Sequence, residues 1–117
     1  MGKLRKVKYI YFKILKLKNK ILFGGPTLVL MYHRINNVHL KPLSHLTVST
    51  NIFEAQLKYL KDHYKIFSIS DSWKLPFYQK GVVLTFDDGY ADNFINALPI
   101  LEKYKIPATI FVCSCNI

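Results

Sequence analysis

The chain has 117 residues, 50% hydrophobic and 15% aromatic, which is enough for one folded domain and too apolar for a disordered segment. Its formal net charge of +10 would suit a nucleic-acid-binding protein, but eight of its 17 basic residues lie within residues 1–20, where there is no acidic residue. The remaining residues carry nine basic and seven acidic side chains. The body of the protein is therefore nearly neutral, which argues against specific nucleic-acid binding.

The first region, residues 1–23, is predicted to be a basic amphipathic helix. Apolar side chains recur among its lysines, mostly at steps of three and four residues, at Leu4, Val7, Tyr11, Ile14 and Ile21. No apolar run approaches the roughly 20 residues of a membrane-spanning helix, and no signal-peptide cleavage site is evident. We therefore expect a cytoplasmic protein or one bound peripherally to the inner membrane. Residues 1–23 would bind an anionic membrane surface or another polyanion; alternatively, they form a solvated helix packed loosely on the domain.

A break at residues 24–26, Gly-Gly-Pro, begins the second region, residues 24–117. Residues 82–86 are an apolar run typical of a strand buried on both faces of a parallel sheet, and residues 27–32 are a second apolar run, predicted to be a buried strand. Polar residues follow each run. His33 comes after residues 27–32, and two adjacent aspartates come after residues 82–86. Active sites of parallel α/β folds assemble at the carboxyl ends of the strands.

Helical and extended patterns alternate between these two runs. A capping box of Asn51 and Glu54 predicts a helix over about residues 51–63. A short strand over residues 66–69 and a helical or irregular crossover over residues 71–79 follow. This order, with strands separated by helical segments, predicts a parallel α/β sheet or barrel.

Beyond the second run, apolar residues at helical spacing predict one more helix. Its buried face would comprise Phe94, Ala97, Leu98, Leu101 and Tyr104. Residues 108–112 form a further apolar strand. Cys113 and Cys115 are expected to be small buried residues without a disulfide, because two residues apart on a strand their side chains do not meet easily.

Asp87 and Asp88 are the strongest candidates for a functional site. Carboxylates are poorly tolerated beside a core, so a pair at the end of a buried strand needs water, a cation or a catalytic role. One carboxylate could bind a divalent cation while its neighbour accepts a proton from water, and the residues alone leave open which does which. The alternatives are a solvated turn in which Asp88 caps the next helix, and a magnesium-dependent phosphotransferase. The absence of a phosphate-binding glycine loop counts against the latter.

Three stretches of this sequence together resemble the polysaccharide deacetylase family, also known as the NodB homology domain or carbohydrate esterase family 4. They are LMYHRI (30–35), VSTNIFEAQLKYL (48–60) and VVLTFDDGYADNFINALPILEKYKIPATIFV (82–112). The resemblance implies metal-dependent removal of acetyl groups from N-acetylated sugars of a glycan substrate. It further implies that Asp87 is the catalytic base and Asp88 a metal ligand. Residues implied to line the site are His33, Thr85 and Tyr90.

The family's second motif, an H-x-x-x-H arrangement with two metal-ligand histidines, has no counterpart among the four histidines of this chain. The fold expected is thus α/β, an incomplete distorted (β/α) barrel of the glycoside hydrolase/deacetylase type, N-terminal half, preceded by the basic amphipathic helix. A divalent metal, zinc or similar, is expected for the full-length family. In this chain we expect metal binding to be weak or absent and the isolated 117 residues to be inactive.

Overall fold

The computed structural model describes residues 27–38, 43–74 and 81–116. The predicted amphipathic helix, residues 1–23, lies outside the described residues, so its membrane role stays a prediction. Within the described ranges, no helix combines the length and apolar character needed to cross a bilayer.

Strands and helices alternate along the described chain, as the sequence predicts. The strands are β1 (Leu28–Tyr32), β2 (Arg34–Ile35), β3 (Thr47–Val48), β4 (Lys65–Phe67), β5 (Gly81–Phe86) and β6 (Thr109–Ile110). The α-helices are α1 (Thr50–His63), α2 (Ile69–Ser72) and α3 (Leu98–Tyr104). A π-helical turn, Asn93–Ala97, leads directly into α3, and short 3-10 turns cover Leu43–Leu46 and Ser114–Asn116.

β5 is the centre of a parallel sheet. It pairs along most of its length with β1 on one side, whereas β4 and β6 share its other side, β4 beside its start and β6 beside its end. β2 and β3 form a separate two-stranded parallel sheet. All six residues of β5 are buried, which confirms the prediction for residues 82–86. The parallel α/β prediction is confirmed as well, but the described strands do not close into a barrel.

β1 is less buried than its apolar sequence predicts. Val29 is 63% exposed and Met31 59% exposed, whereas Leu30 and Tyr32 are half-buried. The alternation arises because β1 lies at the edge of the described sheet, where only one of its faces is covered. The expectation of a buried strand is therefore wrong for this face of β1.

Helix α1 packs on one face of the sheet through three buried side chains, Phe53, Leu57 and Leu60. The Phe53 ring meets Tyr32 and Phe86 in edge-to-face contacts, with ring centres 5.1 and 5.9 Å apart. These rings tie α1 to the last residues of β1 and β5. The core extends from this end of the sheet towards its start, since Leu60 and Val82 belong to the same buried cluster.

The start of α1 differs from the predicted capping box. Ser49, in extended backbone conformation, is the N-cap, and its hydroxyl accepts a hydrogen bond from the N–H of Ile52 at 3.4 Å. The helix thus begins one residue earlier than expected, which places Asn51 inside it. Glu54 lies too far along the helix to return to the cap, and instead accepts hydrogen bonds from Lys103 and Tyr104.

The helix after β5 also presents a different face from the one predicted. Phe94 is 72% exposed, whereas Asn93 is buried and only 2% exposed. The π-helical turn explains the difference, because it contains more residues per turn than an α-helix and so shifts the residues away from the 3.6-residue period on which the prediction relies. From Ala97 onward the prediction holds, since Ala97 and Leu101 are buried and Leu98 and Tyr104 are half-buried.

The final strand is shorter than predicted. Only Thr109 and Ile110 pair with β5, and Phe111 and Val112 are 50% and 61% exposed. Cys113 is half-buried and Cys115 is exposed, so the expectation of two buried cysteines is wrong. The N–H of Phe111 still donates to the carbonyl of Phe86 at 2.8 Å, and the chain then enters the 3-10 turn Ser114–Asn116 in place of a longer strand.

Candidate active site

Three parallel strands end at the same level of the sheet. The last residues of β1 and β6, Tyr32 and Ile110, both lie opposite Phe86, the last residue of β5. We refer to this end as the carboxyl edge. The residues that immediately follow these strands therefore meet there, as expected for a parallel α/β site.

The residues after β5 form a turn, Asp87 to Tyr90, that we term the aspartate turn. Its first residue is anchored, because the backbone N–H of Asp87 donates to the carbonyl of Tyr32 at 2.9 Å. Asp88 and Gly89 then adopt left-handed backbone conformations, with φ of 71° and 67°. Two successive left-handed residues turn the chain sharply out of the strand, so that both carboxylates remain at the carboxyl edge.

Close packing against the end of the β6 segment requires a glycine in this turn. A Cβ atom at Gly89 would lie 2.9 Å from Cγ1 of Val112, closer than real Cβ contacts occur. Next along the chain, the thiol of Cys113 lies 3.9 Å from Oδ1 of Asp88. The aspartate turn and residues 112–113 thus form one packed unit.

The two aspartates differ in exposure. Asp87 is half-buried and Asp88 is exposed. Among the described residues, Asp88 forms no helix-capping hydrogen bond. The alternative in which Asp88 caps the next helix therefore has no support. Its carboxylate instead faces Cys113. Burial raises the pKa of the Cys113 thiol, and the negative charge of Asp88 raises it further.

The other predicted site residues lie at different depths. His33 directly follows β1 and is half-buried, one position beyond the Tyr32–Phe86 pairing, as Asp87 is on the other strand. Tyr90 closes the aspartate turn and is half-buried. Thr85 is buried within β5, and its hydroxyl lies 3.5 Å from the carbonyl of Leu30, so it helps to join β5 to β1.

The remaining histidines within the described ranges are not part of this arrangement. His45 is exposed in a 3-10 turn. His63 ends α1, where its ring stacks on Tyr59 and its Nδ1 lies 2.8 Å from the Tyr59 carbonyl. His39 lies outside the described residues. Only His33 is therefore brought towards the carboxyl edge.

Two polar residues that the sequence analysis overlooked are buried next to the aspartate turn. Asp92 is 6% exposed and forms an ion pair with Arg34, Oδ2 to Nε at 2.9 Å. Asn93 is 2% exposed, and both polar atoms of its side chain lack a hydrogen-bond partner among the described residues. The signal available in the sequence was the polar pair itself, which interrupts the helical pattern directly after the turn.

The described residues do not complete a metal site. Within ranges 27–38, 43–74 and 81–116, no group of three or more histidine, cysteine, aspartate or glutamate side chains could hold a metal ion. Asp88 can offer one accessible carboxylate. A structural or catalytic zinc ion requires three or four protein ligands, so further ligands would be needed.

Comparisons with known proteins converge on one family. Residues 74–117 match the family model described as polysaccharide deacetylase. The poly-beta-1,6-N-acetyl-D-glucosamine N-deacetylase of Staphylococcus aureus is 33% identical, over 87% of this chain and 40% of its own length.

Solved structures give the same result. A polysaccharide deacetylase from Bacillus cereus is 36% identical, with a TM-score of 0.64 over 74% of this chain and 29% of that one. The Streptococcus pyogenes deacetylase PplD, determined in complex with acetate, is 33% identical, with a TM-score of 0.62 over 74% of this chain and 42% of that one. The chain spans between 32% and 40% of the length of the curated relatives it matches.

Proposed function

We propose that this chain, which belongs to the polysaccharide deacetylase family over residues 74–117, takes part in hydrolytic removal of acetyl groups from N-acetylated sugars of a glycan. The observation that carries the proposal is the aspartate turn, with two carboxylates at the carboxyl edge of a parallel sheet. The name of the Staphylococcus aureus relative and the acetate bound to the Streptococcus pyogenes relative support the same chemistry. Acetate is the acid product that such a hydrolysis would release.

Asp87 is proposed as the general base. Its backbone is anchored to β1 through the 2.9 Å hydrogen bond to Tyr32, and it is half-buried, so its carboxylate starts from a fixed backbone position. A base must lie within hydrogen-bond reach of the proton that it accepts. In the proposed step, water loses a proton to Asp87 while its oxygen attacks the acetyl carbonyl carbon. The proton held by Asp87 then passes to the nitrogen as the carbon–nitrogen bond breaks, which leaves acetic acid, ionised to acetate in water, and a free amine.

Asp88 is proposed as one ligand of a divalent metal ion, zinc or similar. The family is typically metal-dependent, and the exposure of Asp88 leaves its carboxylate accessible to an ion. Because the described residues fall short of a full ligand set, no reaction step is assigned to the metal. His33, Thr85 and Tyr90 are proposed to line the site, Thr85 from within the strand.

Zinc titration of two matched variants tests the assignment of roles. Asp88→Asn removes a charged ligand, so we expect zinc affinity to fall at least about tenfold. Asp87→Asn changes the adjacent carboxylate in the same way and should leave the affinity close to that of the unaltered chain. If Asp87→Asn lowered the zinc affinity and Asp88→Asn did not, the two roles would be exchanged. Equal zinc affinity of the unaltered chain and both variants would show that Asp88 is not a metal ligand.

Acetate release tests the reaction itself. With one accessible carboxylate ligand assigned, we expect the 117 residues alone to bind zinc weakly and to release little acetate from acetylated chitooligosaccharide. Tight one-to-one zinc binding together with acetate release would contradict that expectation of inactivity. It would also show that these residues contain a complete site.

A further inference from the structure

A buried ion pair joins the segment after β1 to the helix that follows the aspartate turn. Nε of Arg34 donates to Oδ2 of Asp92 over 2.9 Å, and the two side chains are only 14% and 6% exposed. Asp92 receives two more hydrogen bonds from the same segment, from the N–H of Ile35 at 3.3 Å and from the side-chain amide of Asn36 at 3.4 Å. One carboxylate therefore organises three consecutive residues.

Stability alone is a weak reason for this ion pair. Burying two charges carries a desolvation cost that often equals the attraction between them, and apolar residues of similar volume commonly replace such pairs without loss of stability. The two segments are also joined without charges. The side-chain amide of Asn96 donates to the carbonyl of Ile35 at 2.8 Å, and the Ile35 side chain is fully buried. The charges therefore point to a role in fixing one geometry.

Arg34 borders candidate site residues in two ways. It directly follows His33 in the chain. Its guanidinium carbon also lies 5.1 Å from the centre of the Tyr90 ring, at the end of the aspartate turn. A cation over an aromatic face is attracted to it, and more strongly where water is excluded. Arg34 is thus held by Asp92 while its guanidinium faces Tyr90.

We propose that Arg34 and Asp92 are positioning residues that fix the spacing between His33 and the aspartate turn at the carboxyl edge. They act through Tyr90 and the backbone of residues 33–36, without touching the substrate. This inference rests on the proposed function, because the spacing has a catalytic meaning only if the aspartate turn performs chemistry.

Nuclear magnetic resonance of the 117-residue chain tests the proposal without requiring activity. Arg34→Met removes the charge while keeping a long side chain, and Asp92→Asn removes the charge in place. We expect either change to shift the backbone amide resonances of Asp88 and Gly89 under conditions where the variant is fully folded. Tyr90→Leu should shift the same resonances, and combining it with Arg34→Met should add little, because both changes remove the same contact.

A surface ion pair on the same fold provides the matched control. Lys103→Met breaks an ion pair to Glu54 with an N–O distance of 2.8 Å, and should leave the amides of Asp88 and Gly89 unchanged. If Arg34→Met lowers the midpoint of unfolding but leaves those amides at their original positions, the ion pair is only structural and the proposal is overturned.

Two further measurements keep the result decisive. If the charge-removing variants do not fold, Arg34→Lys keeps the charge but loses the planar guanidinium. It should still shift the amides of Asp88 and Gly89, by less than the removal of the charge would, and unshifted amides would again overturn the proposal. If the unaltered chain binds no zinc and releases no acetate, the proposed function fails for these residues. The amide resonances would still decide whether Arg34 and Asp92 position the turn.

Discussion

Replacement of Gly89 by alanine is the sharpest test of how the aspartate turn is built. The residue has a φ of 67°, and a Cβ atom there would lie 2.9 Å from Cγ1 and 3.4 Å from Cα of Val112. A left-handed backbone costs a residue with a Cβ atom about 1–2 kcal/mol. Displacing the Val112 side chain from its preferred rotamer adds about 1 kcal/mol. We therefore expect Gly89→Ala to lower the free energy of unfolding by about 2–3 kcal/mol.

Thermal and urea unfolding would measure this loss. For a domain of this size, 2 kcal/mol corresponds to a fall in Tm of about 10 °C. Val112→Ala should be nearly neutral alone, because Val112 is 61% exposed. In the double variant with Gly89→Ala, Val112→Ala should restore the part of the free energy of unfolding that is lost to the clash. The part lost to the left-handed backbone should remain. Lys105→Gly provides a control of opposite sign, since Lys105 also has a left-handed φ, of 53°, and glycine should stabilise the chain there.

A loss for Gly89→Ala within about 0.5 kcal/mol of the unaltered chain, the range of an ordinary surface substitution, would contradict both the backbone cost and the clash with Val112. A double variant that recovered nothing would contradict the clash alone. The left-handed turn would then be the whole cost, and its packing against Val112 would contribute nothing.

Three further predictions concern the core, an acid titration and a thiol. Phe53→Ala should cost about 3–5 kcal/mol in urea unfolding, because its fully buried ring joins α1 to the sheet. The hydrogen bond from Lys103 lowers the pKa of Glu54 below its ordinary value of 4.5. The stability that Glu54 contributes should therefore be present above pH 4.5 and be lost as the pH falls through the lowered pKa. Thermal unfolding measured as a function of pH would detect this loss. Burial, followed by the charge of Asp88, raises the pKa of Cys113, so its alkylation by iodoacetamide should require higher pH in the folded chain than in the urea-unfolded chain.

Each of these predictions has a control and a contradicting outcome. Ile52→Ala, at a 56% exposed neighbour of Phe53, should cost less than about 0.5 kcal/mol, and equal losses at the two positions would contradict the placement of the core. Glu54→Gln should abolish the acid-dependent loss assigned to Glu54, and an unchanged pH profile would reject it. In a Cys115→Ser background, a folded-state alkylation profile at or below that of the unfolded chain would contradict the raised pKa of Cys113.

Local patterns in the sequence predicted the elements that depend on local chemistry. The run at residues 82–86 predicts a strand buried on both faces, and β5 is buried throughout, with strands along both of its edges and Phe53 of α1 packed on Phe86. The helix predicted over residues 51–63 is α1, Thr50–His63. The aspartate turn followed from two acids and a glycine at a strand end, and this motif also carries the family resemblance.

Packing against elements distant in the sequence decides which side chains are exposed where the sequence predicts burial. An apolar run is consistent with burial on one face or on two, so β1 could not be distinguished from β5 by composition. Val29 and Met31 are exposed although their partners in β5, Val83 and Thr85, are buried, because β1 lies at the edge of the described sheet. The predicted burial of Cys113 and Cys115 likewise depends on the strand before them, which ends earlier than its apolar sequence suggests.

The parallel α/β order, the central strand and the two aspartates at its end are therefore predictable from the sequence, because each depends on neighbouring residues and their periodicity. What surrounds those aspartates depends on contacts between distant parts of the chain. Arg34 and Asp92 are 58 residues apart in the chain. The π-helical turn after Asp92 does not have the 3.6-residue period of an α-helix. Such a pairing depends on β1 and β5 ending side by side, which is a property of strand order in the sheet and not of any local stretch of residues.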